Sequence, residues 1–562
     1  MRETFRSARG TFAALRATLC VGLCATALLA GCAAPRATGP VRVKVLAIND
    51  FHGNLRPPQG GIRIQDPAHP GQTINVPAGG AEHLATAVAE LRARNPNHIF
   101  VAAGDLIGAT PLLSALFRDE PSIEALGLMG LEASAVGNHE FDKGAAELLR
   151  MQNGGCHAVE GCKGPWPFKG ASFQYLAAST FDLKTGKTIL PAYHVKHFQG
   201  IPVAFIGLTL EATPSIVVPS GVAGLEFRDE ARTVNDLVPE LRRQGIEAIV
   251  VLIHEGGVAT GDYNECPGIS GPIVDIVKRL DRAVDVVISG HTHRAYNCRI
   301  DGRLVTSGDK YGTLVTQIDL TLDPRSGDVT SAQADNVIVR TASFAREPRQ
   351  TQLIEAYERL VVPLAKRVVG RIGAALPRDT NPAGESALGQ IIADAQLAAT
   401  QDAGAQLAFM NPGGIRAALA LPADGQVRYE DLFSVQPFYN NLVTMTLSGA
   451  QILALLEQQW AQASARILHV SRGFSYTWNA SHPAGQRVLA GSVRLNGQPI
   501  DAAASYRVTV NHFVAAGGDG FVLFKQGQTQ TTGIMDVDAL ELFVKNNPGL
   551  VPGPLNRITR VN

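Results

Sequence analysis

The stretch that decides the fold is VRVKVLAINDFH at residues 41–52, where an apolar run rich in β-branched residues ends abruptly in polar side chains. The same pattern recurs in four further stretches: HIFVAAGD (98–105), ASAVGNHE (133–140), IEAIVVLIHEGG (246–257) and VDVVISGHTH (284–293). Helical patterns lie between them, at 81–94, 234–244 and 271–280. Apolar runs of this length predict buried strands. Strands that alternate with helices predict a layered α/β fold, in which ligands collect at the carboxyl ends of the strands.

Composition excludes several classes of protein. The chain has 562 residues, with 50 Lys and Arg balancing 50 Asp and Glu. This length predicts roughly two to four domains. A hydrophobic content of 45% and a charged content of 18% are typical of a folded chain rather than a disordered one. Because there is no excess of Lys and Arg, we expect no nucleic acid polymer as a partner.

The N-terminus has the pattern of an export signal. Four Arg residues lie within residues 2–16, and residues 17–30 carry no charge. Such a stretch is too short to span the ~30 Å hydrocarbon core of a bilayer and is typical of a signal peptide. Residues 29–32 read LAGC and resemble the lipobox of bacterial lipoproteins. We therefore expect a signal peptide at 1–31, a lipid anchor on Cys32 that holds the protein at a membrane, and a tether at 32–40. Cleavage without lipidation is the alternative.

Four cysteines remain after this segment, and an even number in an exported protein predicts disulfides. Three pairings are possible. We favour Cys156–Cys162, which closes a small loop, together with Cys266–Cys298. A zinc site that also uses His157 is the alternative.

The second half of the chain has a different sequence pattern. Clusters of ligand-type residues stop after residue 320, and an amphipathic helix is expected at 350–369. We predict one domain at 41–335, a linker with a connector helix at 336–369, and a second α/β domain at 370–562. Residues 56–80, rich in Gly and Pro, are predicted to form a long surface loop.

Side chains of metal-ligand type stand just after the predicted strands: Asp50, His52, Asp105, Asn138, His254, His291 and His293. Polar groups gathered at strand ends need a partner. Seven ligands are too many for one tetrahedral ion but suit two ions that share a carboxylate. Mixed imidazole and oxygen donors favour Zn, Mn, Fe or Co over Ca or Mg.

This set of motifs, DxH, GD, GNHE, H and GHTH, resembles the calcineurin-like metallophosphoesterase domain. With NPGGIR (411–416) and GGDGF (517–521), the whole chain after the signal resembles the 5′-nucleotidase family, including the periplasmic UDP-sugar hydrolase/5′-nucleotidases. The resemblance implies a four-layer αββα metallophosphoesterase domain joined by a helix to a smaller α/β substrate-binding domain.

The resemblance also implies roles at the metal centre. His139 would be the catalytic histidine rather than a ligand, oriented by Asp142, and would stabilise the transition state or protonate the leaving oxygen. The implied ligands are Asp50, His52 and His293 for one ion, Asn138, His254 and His291 for the other, and Asp105 bridging both.

In the second domain the resemblance implies substrate contacts. Asn411 and Arg416 match substrate-binding residues, Phe438 and Phe513 match two aromatics that sandwich a nucleobase, and Asp519 matches the residue that holds the ribose hydroxyls. These residues imply a nucleotide substrate.

The implied activity is hydrolysis of 5′-nucleotides to nucleoside and phosphate in the cell envelope, by attack of a metal-bound hydroxide. A UDP-sugar or nucleotide diphosphate hydrolase and a 2′,3′-cyclic-nucleotide phosphodiesterase are alternatives on the same scaffold. A surface-anchored binding protein is a third. Some relatives place a substrate-binding Arg where this chain has Gly384, so the preferred nucleotide stays open, as do the metal identity and the oligomeric state.

Overall fold

The computed structural model describes residues 39–462 and 464–562. The predicted signal peptide and the lipid anchor at Cys32 therefore lie outside the described residues. Among the helices of the described part of the chain, none has the length and apolar character needed to cross a membrane.

The region up to residue 365 is built around two large sheets with helices outside them. Its strands are β1 (Val41–Ile48), β2 (Ile62–Gln65), β3 (Thr73–Val76), β4 (His98–Ala102), β5 (Ala133–Ala135), β6 (Gln174–Leu176), β7 (Thr180–Asp182), β8 (Tyr193–Phe198), β9 (Ile201–Thr209), β10 (Leu225–Phe227), β11 (Ala248–His254), β12 (Val284–Ser289), β13 (Ala295–Ile300), β14 (Arg303–Gly308), β15 (Leu314–Leu322) and β16 (Val329–Ile338). Its helices are α1 (Ala81–Arg92), α2 (Leu112–Ala115), α3 (Glu120–Leu128), α4 (Ala145–Asn153), α5 (Thr213–Ile216), α6 (Glu230–Arg243), α7 (Pro272–Arg279) and α8 (Pro348–Ala365). The region also contains the two-stranded pairs β2–β3 and β7–β10.

Two six-stranded sheets of the described chain pack face to face. Their strand orders are β16-β15-β1-β4-β5-β6 and β13-β14-β12-β11-β9-β8. Val45, Ile99, Val250 and Val286 are fully buried in one apolar cluster between the sheets. Helices α1, α3 and α4 cover the outer face of the first sheet, and α6 and α7 cover that of the second. The predicted four-layer arrangement is confirmed.

Strand direction creates the edge where the site forms. Strands β1, β4 and β5 run parallel in the first sheet, and β9, β11 and β12 run parallel in the second. The carboxyl ends of parallel strands meet at one edge of a sheet, so the loops that follow them lie close together.

The prediction of a long surface loop at 56–80 was wrong in part, because the segment contains the hairpin β2–β3. Ile62, Ile64 and Val76 are buried in a small apolar cluster with Leu314 and Ile338. Burial of alternate residues is the usual reason for a strand. Here the alternation covers only four residues, which the surrounding Gly and Pro obscured.

The predicted connector helix is present as α8. Its N-terminus is capped by the Glu347 side chain, which accepts a hydrogen bond from the Gln350 N–H at 2.9 Å. The helix ends earlier than predicted, because a short strand begins at Val368. Leu353 and Tyr357 are buried, and α8 packs mainly on α1, α2 and α3 of the first region.

The remainder of the chain forms the second α/β region, which agrees with the predicted fold class. Its strands are β17 (Val368–Arg371), β18 (Leu407–Met410), β19 (Gln426–Arg428), β20 (Asn441–Ser448), β21 (His469–Val470), β22 (Phe474–Asn479), β23 (Arg494–Leu495), β24 (Gln498–Pro499), β25 (Ser505–Asn511), β26 (Gln528–Met535) and β27 (Ile558–Val561). Its helices are α9 (Ala387–Ala399), α10 (Tyr429–Val435), α11 (Gly449–Glu457), α12 (His512–Ala515) and α13 (Asp536–Asn546). The central sheet has the order β21-β18-β25-β20-β26.

Within the described residues there are two disulfides, Cys156–Cys162 and Cys266–Cys298, which confirms the favoured pairing. The alternative zinc site with His157 is excluded because its sulfur ligands are engaged in these bonds. Cys298 lies in β13, shortly after the GHTH loop, so the second disulfide ties that strand to the segment before α7.

Candidate active site

The structure brings the predicted metal ligands together in two clusters at the common edge of the sheets. In each cluster one ligand atom of every member lies within 4.8 Å of the others. The members are Asp50, His52 and His293 in the first cluster, and Asp105, His254 and His291 in the second.

In the first cluster, the ligand atoms of the side chains face one another. His52 Nδ1 donates to the Gly108 carbonyl oxygen at 2.7 Å, which leaves Nε2 as the lone-pair nitrogen. That nitrogen lies 3.1 Å from His293 Nε2, which in turn lies 3.3 Å from Asp50 Oδ1. Burial holds the pKa of His52 well below its usual range, and neutral imidazole is the metal-binding form. A cation is the partner that these atoms fit.

The second cluster has the same construction. His254 Nδ1 donates to the Ala103 carbonyl oxygen at 2.8 Å, and Nε2 faces Asp105 Oδ2 at 3.0 Å. Burial lowers the pKa of His254, but the Asp105 carboxylate outweighs it and raises the pKa to about 10, so positive charge is favoured at this point. Asp105 Oδ2 also lies 3.5 Å from His52 Nε2, between the two clusters.

Asn138 completes the donor set. Its Oδ1 is buried and has no hydrogen-bond partner among the described residues. An unpaired buried carbonyl oxygen is costly unless something binds it. With imidazole and carboxylate donors around it, the arrangement fits two divalent metal ions.

Several residues of the two metal clusters have a strained backbone. Residues other than Gly rarely adopt a positive φ, and such strain persists only where the surrounding structure enforces it. Five of the predicted ligands have one: Asp50 (49°), His52 (44°), Asp105 (51°), His291 (72°) and His293 (53°). The fold therefore holds the ligand loops in conformations that these loops would not choose alone.

Glu140 fastens two ligand loops to each other, a role that the sequence did not reveal. Its carboxylate accepts hydrogen bonds from the backbone N–H groups of Asp105, Leu106 and Gly137 at 3.0, 2.7 and 2.6 Å. Gly137 permits this approach, because a Cβ there would lie 2.2 Å from Asp105 Oδ1. Glu140 belongs to the GNHE motif, which was the available signal.

His139 lies beside the clusters without belonging to either. Its Nδ1 is 2.7 Å from Asp142 Oδ2, and its backbone N–H donates to Asp105 Oδ1 at 2.9 Å. Burial lowers the pKa of His139, but the charges of Asp142 and Asp105 outweigh it and raise the pKa. The side chain is therefore suited to carry a proton toward the cleft.

The five predicted substrate residues line one cavity together with His139 and His291. The cavity has a volume of about 260 Å³ and lies between the two regions of the chain. Near His139, the Phe438 ring stacks on the histidine ring with centroids 5.9 Å apart, and the Arg416 guanidinium carbon lies 5.9 Å from the same Phe438 ring.

Arg416 is joined by a second arginine that the sequence did not point to. Arg378 donates to the Arg416 carbonyl oxygen. Burial and the charge of Arg416 lower the pKa of Arg378, so the two guanidinium groups favour an anion beside them. Arg416 Nε is also buried without a hydrogen-bond partner in the described part of the chain. Both features suit a phosphate group.

At the other end of the cavity, Phe513 and Asp519 lie with Asn411. Asn511 and Arg466 also line this end and were not identified from the sequence. Neither stands in a short motif, so no local signal marked them.

Comparisons with known proteins agree with this architecture. Residues 43–295 match the calcineurin-like phosphoesterase family, and residues 366–526 match the 5′-nucleotidase C-terminal domain. The structure is similar to that of a 5′-nucleotidase precursor from Thermus thermophilus, with a TM-score of 0.76 and 28% identity, over 93% of this chain and 100% of that one.

Relatives by sequence cover most of the chain. A cell wall protein of Listeria monocytogenes, Lmo0130, is 31% identical over 95% of this chain and 71% of its own length. Endonuclease YhcR of Bacillus subtilis is 31% identical over 91% of this chain, which spans 40% of that longer protein. A 5′-nucleotidase of Vibrio cholerae is 24% identical over 82% of this chain and 84% of its length. Two matched domains in the same order, over a shared fold, place this chain in the 5′-nucleotidase family of calcineurin-like phosphoesterases.

Proposed function

We propose that this protein is a metal-dependent hydrolase that releases phosphate from 5′-nucleotides. The observation that carries the proposal is a cavity in which Asn138, His139 and the cluster member His291 line one wall and Phe438 and Phe513 from the second region line another. A charged, phosphate-binding end and an aromatic end within one cavity are what a nucleoside monophosphate needs.

Residues of the first region would hold the ions. Asp50, His52 and His293 would bind one ion, His254, His291 and Asn138 would bind the other, and Asp105 would bridge them. When bound, two such ions supply an activated water and neutralise charge on the phosphoryl oxygens.

Protein side chains would supply the remaining chemistry. His139, held by Asp142, would donate a proton or a hydrogen bond to the oxygen that carries developing charge. Arg416, which lines the cavity, would bind the phosphate, and Arg378 beside it would add positive charge.

The second region would hold the nucleoside. Phe513 and Phe438 would contact the base, and stacking contributes about 1–3 kcal/mol per base. Asn411 and Asp519 would bind the ribose.

The place of action is part of the proposal. Disulfides persist in oxidising compartments, which supports export after removal of residues 1–31. We propose that Cys32 carries the lipid anchor and residues 33–40 the tether. We also propose that the first domain covers 41–335, the linker 336–369 and the second domain 370–562.

A second candidate is hydrolysis of a diphosphate or a phosphodiester bond at the same site. One relative, YhcR of Bacillus subtilis, is named an endonuclease, and another, YfkN of the same organism, is 26% identical and is named a trifunctional nucleotide phosphoesterase. UDP-sugars and 2′,3′-cyclic nucleotides are the corresponding small substrates.

A substrate panel tests the choice. The protein is stripped with chelator, reloaded with Mn, Co or Zn, and given AMP, UDP-glucose, 2′,3′-cyclic AMP and p-nitrophenyl phosphate, with kcat/KM measured for each. We expect the highest value for AMP and none without metal. A higher value for UDP-glucose or cyclic AMP would replace the first candidate by the second, and full activity in verified metal-free protein would refute both.

A further inference from the structure

At the end of the cavity far from the metal clusters, four polar side chains form one chain of hydrogen bonds. Asn511 Nδ2 donates to Asn411 Oδ1 at 2.9 Å, and Asn411 Nδ2 donates to Asp519 Oδ2 at 2.7 Å. Arg466 Nη1 donates to the other carboxylate oxygen, Asp519 Oδ1, at 2.6 Å. Asp519 is therefore held from both sides.

The backbone at Asp519 needs such support. Its φ is 57°, in the left-handed region that residues with a side chain rarely adopt. The neighbouring turn also packs against an aromatic ring, since a Cβ at Gly518 would lie 2.4 Å from Phe513 Cζ. A shift of this turn would therefore move the carboxylate and the Phe513 ring together.

Arg466 itself sits on an anchored backbone. Its N–H donates to the carbonyl oxygen of the buried Gln459 at 2.8 Å, and the Leu468 N–H donates to Gln459 Oε1 at 2.8 Å. The Arg466 side chain is 28% exposed and that of Asp519 is 11% exposed. The fold thus places the Arg466 guanidinium against the Asp519 carboxylate at the wall of the cavity.

The Asp519 carboxylate keeps free acceptor positions. A carboxylate offers about four acceptor positions, and Arg466 and Asn411 occupy one on each oxygen of Asp519. One position on each oxygen is left, which matches two neighbouring hydroxyl donors. We propose that Arg466 is a positioning residue that fixes Asp519 to accept both hydroxyls of a ribose, so that the site selects 5′-ribonucleotides over nucleotides that lack the diol. This inference rests on the proposed function.

A direct role of Arg466 in binding an anionic substituent is the competing explanation. The short contact to Asp519 argues against it, because the carboxylate already neutralises the guanidinium charge. Adenosine 3′,5′-bisphosphate distinguishes the two roles, since a free guanidinium would favour its extra phosphate.

The test compares AMP with 2′,3′-dideoxy-AMP in the metal-loaded protein. A hydrogen bond to a charged group is worth about tenfold to a hundredfold in affinity, so kcat/KM of the wild type should favour AMP by about that factor. In Arg466→Ala the ratio should fall to about threefold or less, mainly through a higher KM for AMP. Arg466→Lys should restore part of it. Arg494→Ala, a change at an exposed arginine outside the cavity, should keep the wild-type ratio.

Several results would overturn the inference: a wild-type ratio near one, an unchanged ratio in Arg466→Ala, or equal losses on both substrates. Faster turnover of the bisphosphate than of AMP, lost in Arg466→Ala, would assign the direct role instead. If the wild type hydrolyses no nucleotide, the proposed function fails. Calorimetric binding of adenosine and 2′,3′-dideoxyadenosine to the same variants then decides the diol selectivity, and equal affinities would refute it.

Discussion

The metal end of the cavity (the two clusters with Asn138 and His139) and the nucleoside end (Asn411, Phe513, Asp519 and Arg466) are built differently. At the metal end the ligands follow strands of two packed sheets, and Asp50, His52 and His254 are fully buried. At the nucleoside end the residues come from separate segments of the second region, and Arg466 remains partly exposed.

The two ends of the cavity therefore have different roles. Buried ligands on strained backbone hold one geometry, as a reaction at phosphorus requires. A partly exposed set joined by side-chain hydrogen bonds can distinguish substrates by their binding. We therefore expect changes at the metal end to lower kcat and changes at the nucleoside end to raise KM.

The largest effect is expected for Asp105→Asn. The neutral amide removes the carboxylate that lies between the clusters, 3.0 Å from His254 and 3.5 Å from His52. Losing several kcal/mol of charge stabilisation lowers kcat at least ~10³-fold. Phosphate release and metal content by mass spectrometry check this. Asp275→Asn, the same change at an exposed residue of α7, is the control, and retention of both metals and kcat in Asp105→Asn would contradict the assigned bridge.

His139→Ala comes next and separates catalysis from metal binding. Because His139 belongs to neither cluster, both metals should remain while kcat falls by about 10²–10³-fold. Asp142→Asn should have a smaller effect, since it removes only the negative charge of the partner at 2.7 Å. Loss of a metal in His139→Ala would show that this side chain is a ligand.

Phe513→Ala tests the nucleoside end. Loss of stacking should raise KM for AMP about tenfold to a hundredfold, with little change for p-nitrophenyl phosphate. Phe438→Ala should slow both substrates, because its ring packs on His139. Phe181→Ala, at a half-buried position on β7, is the matched control. Equal losses on both substrates in Phe513→Ala would mean that this ring supports the fold and does not bind the base.

The smallest effect on activity is expected from the disulfides, which act on stability. The cysteines are 6 residues apart in the first disulfide and 32 apart in the second. From the loop-closure entropy of the unfolded chain, we expect the free energy of unfolding to fall by about 2 kcal/mol in Cys156→Ala/Cys162→Ala and by about 4 kcal/mol in Cys266→Ala/Cys298→Ala. Urea unfolding measures both. The reverse order would show that strain or residual structure outweighs loop closure.

The sequence by itself determined the layered fold and the chemistry of the metal end. Buried strands need long apolar runs, and metal ligands must follow them directly, so both leave signatures within about ten residues, as in VDVVISGHTH. The pairing of the cysteines favoured from the sequence was also confirmed. The hairpin at 62–76 was missed because its alternation is too short to stand out.

Tertiary structure alone decided how the parts are fastened together. Glu140 joins two ligand loops, Arg378 lies beside Arg416, and Arg466 reaches Asp519 across 53 residues of sequence. Such contacts form only when separate segments pack together. The residues that neighbour an Arg or a Glu in the sequence do not show whether its side chain faces solvent or a partner. The sequence could therefore name the groups that do the chemistry, whereas the packing of distant segments determined which side chains hold them in place.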